Sequence, residues 1–332
     1  MRRERNTLNA VKYMLFDNSS KILVIQTAFL GDVILATSLV NSIKQQFPAA
    51  VVDVLVKKGN EALLLDHPSI NKVKTLDKRR KYREMWRLIR ENRRENYSHI
   101  VNLHRFLSSG LIAVLSGGYT VGFDKNPLSR RYKLRLPHPV MQGIHETDRN
   151  FSLIAALGIR EKVNPSLHPS KEVFEKVQEF QERPYLCFAP ASVWATKQLP
   201  MEKWVELAEK LTKPIYLLGG PNDAGLCAKL AQQIPGKAIN LAGKLSLMES
   251  VALMKGAQRN YVNDSGPLHF ASAVNAPVTA FFCSTVTDFG FGPLSEDSEV
   301  REVRNLPCRP CGLHGKKECP EGHFKCGMEM EV

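Results

Sequence analysis

Four short stretches of this sequence concentrate residues able to do chemistry. Gly31-Asp32 follows the apolar run Ile22-Leu23-Val24-Ile25 and opens a segment of helical apolar spacing. Asp32 therefore lies where a buried strand hands over to a helix, on the edge of a parallel sheet that usually carries the ligand. A carboxylate there can cap the helix, worth about 1 kcal/mol, or take a proton from a hydroxyl as a general base. Ser192, Thr196 and Lys197 share a loop after a second strand. Two hydroxyls and a compact point charge suit the oxygens of a diphosphate, and an ordinary exposed loop is the alternative. Asn263-Asp264-Ser265-Gly266-Pro267-Leu268-His269 ends a strand and starts a helix with proline at its first turn. Small residues let backbone N–H groups approach a phosphate there, and the helix dipole favours the anion. Asp264 would repel that anion, so it is expected to cap the helix or orient Ser265, and a capped helix without ligand gives the same pattern. In Leu218-Gly219-Gly220-Pro221-Asn222-Asp223 the paired glycines allow close approach of a flat group. Asp223 is placed to accept from ribose hydroxyls, or the segment is a plain turn.

Charge and cysteine are the other signals. Lys and Arg number 46 against 33 acidic residues, a net charge of +13, which calls for an acidic partner. Nucleic acid, anionic lipid and phosphorylated substrates all qualify. Between Lys72 and Tyr97 stand eleven basic and four acidic residues. Tyr82, Met85, Trp86 and Ile89 have the spacing of a buried helical stripe, which turns Arg83, Arg87, Arg90 and Arg94 outward together. Arg130, Arg131, Lys133 and Arg135 form a second basic cluster in a loop of the same half. These are solvated faces or one anion-binding surface. Cys187, Cys227 and Cys283 read as buried thiols. Cys308, Cys311, Cys319 and Cys326, with His314 and His323 nearby, supply enough soft ligands for tetrahedral zinc. The second pair lacks CxxC spacing, so metal, reduced thiols and disulfides stay open, the last least favoured in a reducing compartment.

The elements that must position these groups alternate strand and helix. At 332 residues the chain exceeds one hydrophobic core, and two domains are expected, 1–168 and 169–332. With 43% hydrophobic and 24% charged residues it is globular, not disordered. No apolar run approaches the ~18–20 residues of a membrane span. Met1-Arg2-Arg3-Glu4-Arg5 leads into no secretory h-region, so a cytoplasmic protein is expected. Strands are predicted at 22–25, 51–56, 99–103 and 119–122, with helices at 32–46, 60–66, 81–94 and 107–116. In the second half, strands are predicted at 185–189, 215–218, 238–241, 261–263 and 278–282. Helices there fit 170–183, 201–211, 224–234, 246–256 and 267–274. Two doubly wound α/β domains facing a central cleft follow. Val11, Tyr13, Met14, Leu15 and Phe16 are expected to pack as an N-terminal helix or to touch a membrane surface.

Taken in order, Ile22–Ile25 with Gly31-Asp32-Val33, Ser192-Val193-Trp194-Ala195-Thr196-Lys197 and Asn263 to His269 resemble the glycosyltransferase family 9 heptosyltransferases, from about Lys21 to Cys326. The second of the two inner-core enzymes is the nearer relative by this reading. The resemblance implies a GT-B fold and an inverting, metal-independent transfer of heptose from ADP-heptose to the Kdo/heptose core on lipid A. The N-terminal domain would bind the acceptor and the C-terminal domain the nucleotide sugar. Position by position, it implies Asp32 as base, Lys197 as the lysine on the diphosphate, and Ser192 and Thr196 beside it. It implies Asp264, Ser265, Gly266 and His269 at the donor helix and Asp223 on the ribose. Arg83, Arg87, Arg90, Arg130 and Arg131 would meet the anionic acceptor at the inner face of the inner membrane. No cofactor is required, and zinc on the four tail cysteines would be structural. Where the family fold often ends in a long helix, only a few residues follow Cys326. The competing class is a nucleic-acid-binding α/β protein with a zinc tail, and an inactive family member serving as a scaffold is a third reading. The donor-site motifs argue for the enzyme and against nucleic acid as partner.

Overall fold

The computed structural model describes residues 15–140 and 142–332. They fall into two compact units, one running to Pro139 and resuming at Glu146–Ser166, the other comprising Val140–His145 and Leu167–Val332. Each is built on one six-stranded sheet. Among the described residues no helix is long and apolar enough to cross a membrane. Val11, Tyr13 and Met14 lie outside the described residues; of their neighbours, Leu15 is exposed and Phe16 is buried.

The first unit contains β1 (Lys21–Gln26), α1 (Leu30–Gln46), β2 (Val51–Lys57), β3 (Lys72–Leu76), α2 (Lys81–Glu95), β4 (His99–Asn102), α3 (Leu107–Leu115), β5 (Tyr119–Phe123), β6 (Leu134–Leu136) and α4 (Glu146–Ala155). Its strands run parallel in the order β3-β2-β1-β4-β5-β6. The order reverses between β1 and β4, and a crevice opens beyond the carboxyl ends of such a pair. Buried Ile22, Leu23, Val24 and Ile25 fill β1 on both faces, the pattern of a strand covered on both sides.

In the second unit, α5 (Lys171–Val177) leads into β7 (Leu186–Ala189), α6 (Met201–Lys210), β8 (Ile215–Leu217), α7 (Ala224–Gln233), β9 (Ala238–Asn240), α8 (Leu247–Gly256), β10 (Arg259–Asn263), α9 (Gly266–Ala273), β11 (Val278–Phe281), β12 (Ser298–Arg301) and the short α10 (Lys325–Met328). The parallel order is β12-β11-β10-β7-β8-β9, so the switch point lies between β7 and β10. α8 opens with a reciprocal cap: Ser246 Oγ accepts from Glu249 N, and the Glu249 carboxylate accepts from Ser246 N.

Several expectations need correction. The helix predicted at 60–66 is a single 3-10 turn, Glu61–Leu63. Gly59, at φ +101, and Pro68 fence it too closely for a longer helix. β3, β6, β12 and α4 were not foreseen. β3 and β12 are edge strands and β6 is a three-residue one, so none needs the apolar run by which an interior strand is recognised.

The largest correction concerns α2. Its buried face is Met85, Leu88, Ile89 and Asn92, while Tyr82 is 74% and Trp86 51% exposed. A buried polar chain sets the rotation: Lys74 of β3 donates to Asn92 Oδ1 at 2.8 Å, and Asn92 Nδ2 donates to Ser116 Oγ. Once Asn92 faces the sheet, Tyr82 and Trp86 fall at the edge of the apolar stripe.

Candidate active site

In the first unit the chemistry gathers beyond the carboxyl ends of β1, β4 and β5. Thr27 Oγ1 meets His104 Nδ1 at 2.8 Å across the β1–β4 switch point, and burial lowers the pKa of His104 to about 4. Phe29, not Asp32, is the N-cap of α1. Asp32 lies in the first turn, its carboxylate accepting from the backbone N–H groups of Phe29 and of Asp32 itself. A helix start ordinarily favours the charged form. Here desolvation, then the charge of Glu146, outweigh it and raise the Asp32 pKa from 3.8 to about 6.

Glu146 is the first residue of α4. It accepts from Arg149 Nε at 2.7 Å and meets His138 Nε2 at 3.1 Å. Burial pushes its pKa up, but His138, Lys125 and Arg149 together bring it down to about 2. Lys125, in the loop after β5, is lowered to about 8 by burial against the opposing pull of Glu146 and Asp32. One carboxylate is thus fixed in its charged form beside another that titrates near 6, a separation that marks acid–base sites. The sequence reading passed over Lys125, His138, Glu146 and Arg149, because they are scattered over a loop, a connection and an unforeseen helix.

The second unit assembles its groups at the β7–β10 switch point. Lys197 Nζ sits 2.6 Å from Asp264 Oδ2, both side chains largely buried. Thr285 Oγ1 donates to the same oxygen at 2.6 Å. Asp264 therefore neither caps α9 nor orients Ser265. Ser265 is the N-cap residue, with its hydroxyl on Asn263 O, and Asp264 aims Lys197. Gly266 and Pro267 form the first turn of α9, and His269 follows one turn on, buried, with no hydrogen-bond partner for Nδ1 among the described residues. Burial lowers the His269 pKa to about 4 despite the nearby Asp264, which leaves a neutral ring at the helix start. Asp223 Oδ2 accepts from Gly220 N at 2.8 Å and so clamps its own turn. Ser192 is half-buried in the Lys197 loop. The hydroxyl of Thr196 is engaged by Ser284 Oγ and Lys316 N.

Comparison with known proteins now decides the family. The model of "Glycosyltransferase family 9 (heptosyltransferase)" matches residues 85–324. The chain belongs to glycosyltransferase family 9. Lipopolysaccharide heptosyltransferase 1 of Pseudomonas aeruginosa is 24% identical over 310 residues, covering 88% of this chain and 86% of that protein. Lipopolysaccharide heptosyltransferase 2 of Escherichia coli K12 is 26% identical, with 84% and 87% covered. Identity therefore does not favour one heptosyl step over the other. Among solved structures, E. coli ADP-heptose heptosyltransferase II superposes with a TM-score of 0.73 at 23% identity, covering 88% of this chain and 95% of that one. E. coli heptosyltransferase WaaC, solved with ADP, gives 0.68 at 21%, with 84% and 92% covered. The fold is GT-B and the protein is a transferase.

In this family 9 chain the cysteine tail packs against the Lys197 loop. Arg309, between Cys308 and Cys311, donates to the carbonyls of Phe282, Cys283, Val303 and Thr285 and to Glu302 Oε2. Thr196 N donates to Lys316 O, and Cys311 N to Ser284 O. Gly315, at φ +76, lies so close to Lys197 that a Cβ would stand 2.8 Å from its Cγ. Cys326 is buried in the apolar core with Cys283, Met330 and Val332. Cys308 Sγ stands 3.9 Å from His323 Nε2. Among the described residues no group of three or more His, Cys, Asp or Glu is arranged to hold a metal.

The predicted acceptor arginines divide. Arg87 is bound by Glu84 at 2.7 Å and Glu91 at 2.8 Å, so it is not the free outward charge expected. Arg83, Arg90, Arg130 and Arg131 are exposed, with no ion pair among the described residues.

The Asp32 pKa carries a stability prediction. Because the folded-state value lies above 3.8, the stability linked to the protonated form is present below about pH 4 and lost as pH rises through about 6. Asp32→Asn removes a penalty of about 3 kcal/mol at pH 8. Its melting temperature should exceed the parent's by a few degrees at pH 8, with the gain vanishing near pH 4. A scanning-fluorimetry series over that range measures it, and a lower melting point at pH 8 would show that Asp32 serves mainly to hold the helix start.

Proposed function

We propose that this chain transfers heptose from ADP-heptose to the inner core of lipopolysaccharide, inverting the anomeric carbon in a single displacement and using no metal. An acceptor hydroxyl oxygen bonds to the anomeric carbon from one face. The bond to the diphosphate breaks on the other, and ADP leaves with the electron pair. Asp32 takes the hydroxyl proton, for which a pKa near the working pH is suited. Lys197, aimed by Asp264, and the start of α9 receive the growing charge on the leaving diphosphate. Ser192 and the neutral His269 border that position, and Asp223 takes the ribose. The first unit binds the anionic acceptor at the cytoplasmic face of the inner membrane, its core sugars meeting Arg130 and Arg131 and its lipid side meeting Arg83 and Arg90.

The observation that carries this reading is a family 9 chain in which a largely buried lysine is fixed at 2.6 Å by an aspartate two residues before the donor helix. The direct test incubates the protein with ADP-heptose and truncated inner-core acceptors and identifies the product by mass. Binding of ADP without any product would make this an inactive scaffold.

Two variants separate the roles. Asp32→Asn should lower kcat by roughly 10²–10⁴-fold with ADP affinity nearly intact, and wild-type kcat/KM should rise with pH through about 6. Lys197→Ala should weaken ADP binding and also slow transfer, since its contact strengthens in the transition state.

The tail contact gives a third. Gly315→Ala places a methyl against Lys197 at a positive φ, and should weaken ADP binding at least about tenfold, a loss of ~1.4 kcal/mol, without unfolding the chain. Isothermal titration with ADP measures it, and unchanged affinity would remove the tail from the donor site.

Any zinc taken by Cys308, Cys311, Cys319 and Cys326 would be structural, after rearrangement of the tail. Dialysis against a chelator should therefore leave kcat unchanged, and a proportional loss of activity with metal would refute metal independence.

A further inference from the structure

Tyr82 and Trp86 stand one turn apart on α2 and are 74% and 51% exposed. Two large aromatics side by side in water are an unusual surface, and their surroundings are ordered. At 100° per residue the exposed half of α2 has two edges. On one lie Glu84 and Glu91, both neutralised by Arg87. On the other lie Tyr82 and Trp86, and between the edges run Arg83 and Arg90, exposed and without an ion pair among the described residues. Arg79 and Arg80, also exposed, extend the basic surface from the turn that precedes the helix. From Lys78 to Arg94 the chain has nine basic and two acidic residues. The opposite face, Met85, Leu88 and Ile89, is anchored in the core, so the aromatics cannot turn inward.

We infer that Tyr82 and Trp86 insert into the headgroup layer of an anionic membrane, with Arg83 and Arg90 on its phosphates, docking the first unit by the exposed edge of α2. Aromatic rings with a polar handle prefer the membrane–water interface, and arginines beside them add attraction to anionic lipid. Nucleic acid or an acidic protein would satisfy the arginines but gives Trp86 no apolar layer to enter. The placement suits the reaction. Lys78, at the head of the same basic turn, donates to Thr27 O at 2.9 Å, two residues before the cap of the helix that carries Asp32. The docked edge therefore begins at the loop that leads into the helix carrying the candidate base, where a membrane-anchored acceptor presents its sugars. The inference rests on the proposed acceptor only for this last point.

Flotation of the full chain with vesicles of equal parts phosphatidylglycerol and phosphatidylcholine tests it, with pure phosphatidylcholine vesicles as control. The wild type should float with the anionic vesicles alone, and brominated acyl chains should quench a tryptophan signal that is absent in Trp86→Phe. Tyr82→Ala/Trp86→Ala should reduce the partition coefficient at least about tenfold, and Arg83→Gln and Arg90→Gln about fivefold each. The aromatic variant should keep the wild-type rate on a water-soluble, delipidated acceptor and show a raised KM only for acceptor embedded in vesicles. Absence of transfer to either acceptor would sink the proposed reaction and leave the flotation result standing. Equal flotation of wild type and aromatic variant would overturn the docking surface. So would binding that salt abolishes with no quenching of Trp86, or tighter binding to an oligonucleotide than to the vesicles.

Discussion

The largely buried side chain of Lys197 is held in place by one contact, the 2.6 Å pair with Asp264. Much of the surrounding structure serves that pair. Thr285 donates to the same carboxylate oxygen, and the Thr285 carbonyl is in turn held by Arg309 of the tail. Thr196, next to Lys197, bonds Ser284 and Lys316. A lone buried lysine would be costly, and a lone buried aspartate no less so. Together they form a positioned cation beside the start of α9, where backbone N–H groups already favour an anion. The tail, which looks like an appendage in the sequence, is in this sense the back wall of the Lys197 loop.

The first unit solves the opposite problem. Burial and the charge of Glu146 keep Asp32 out of its charged form until the pH passes about 6. Glu146 can stay charged because Arg149, His138 and Lys125 surround it. The cluster thus divides its carboxylates into one fixed charge and one that titrates in the working range. The two units share a topology, each with its groups at a switch point of strand order, but one stabilises charge and the other withholds that stabilisation.

Much of this was legible in the sequence, because it is written locally. Interior strands such as Ile22–Ile25, an unbroken apolar run, and Val278–Phe281, broken only by Thr279, announce themselves in the sequence, and both are buried throughout. Asp32, Lys197 and Asp264 to His269 could be singled out because a strand end, a turn and a helix start are short-range patterns. The family motifs read the same way, and the comparison with family 9 bears out that resemblance.

What only the tertiary structure decided are the pairings between distant segments. The role of Asp264 depends on a lysine 67 residues earlier, and nothing around it in sequence distinguishes a cap from a clamp. The partners of Asp32 come from the loop after β5 and from α4, brought near by the order in which strands assemble. On α2, spacing alone allowed Tyr82 and Trp86 to face the core. Lys74 reaching Asn92 rotated the helix and put them in water. Periodicity fixes that a helix has an apolar side, but the position of that side to within one residue is set by what the neighbouring strand offers, since a buried polar group must find its hydrogen bond.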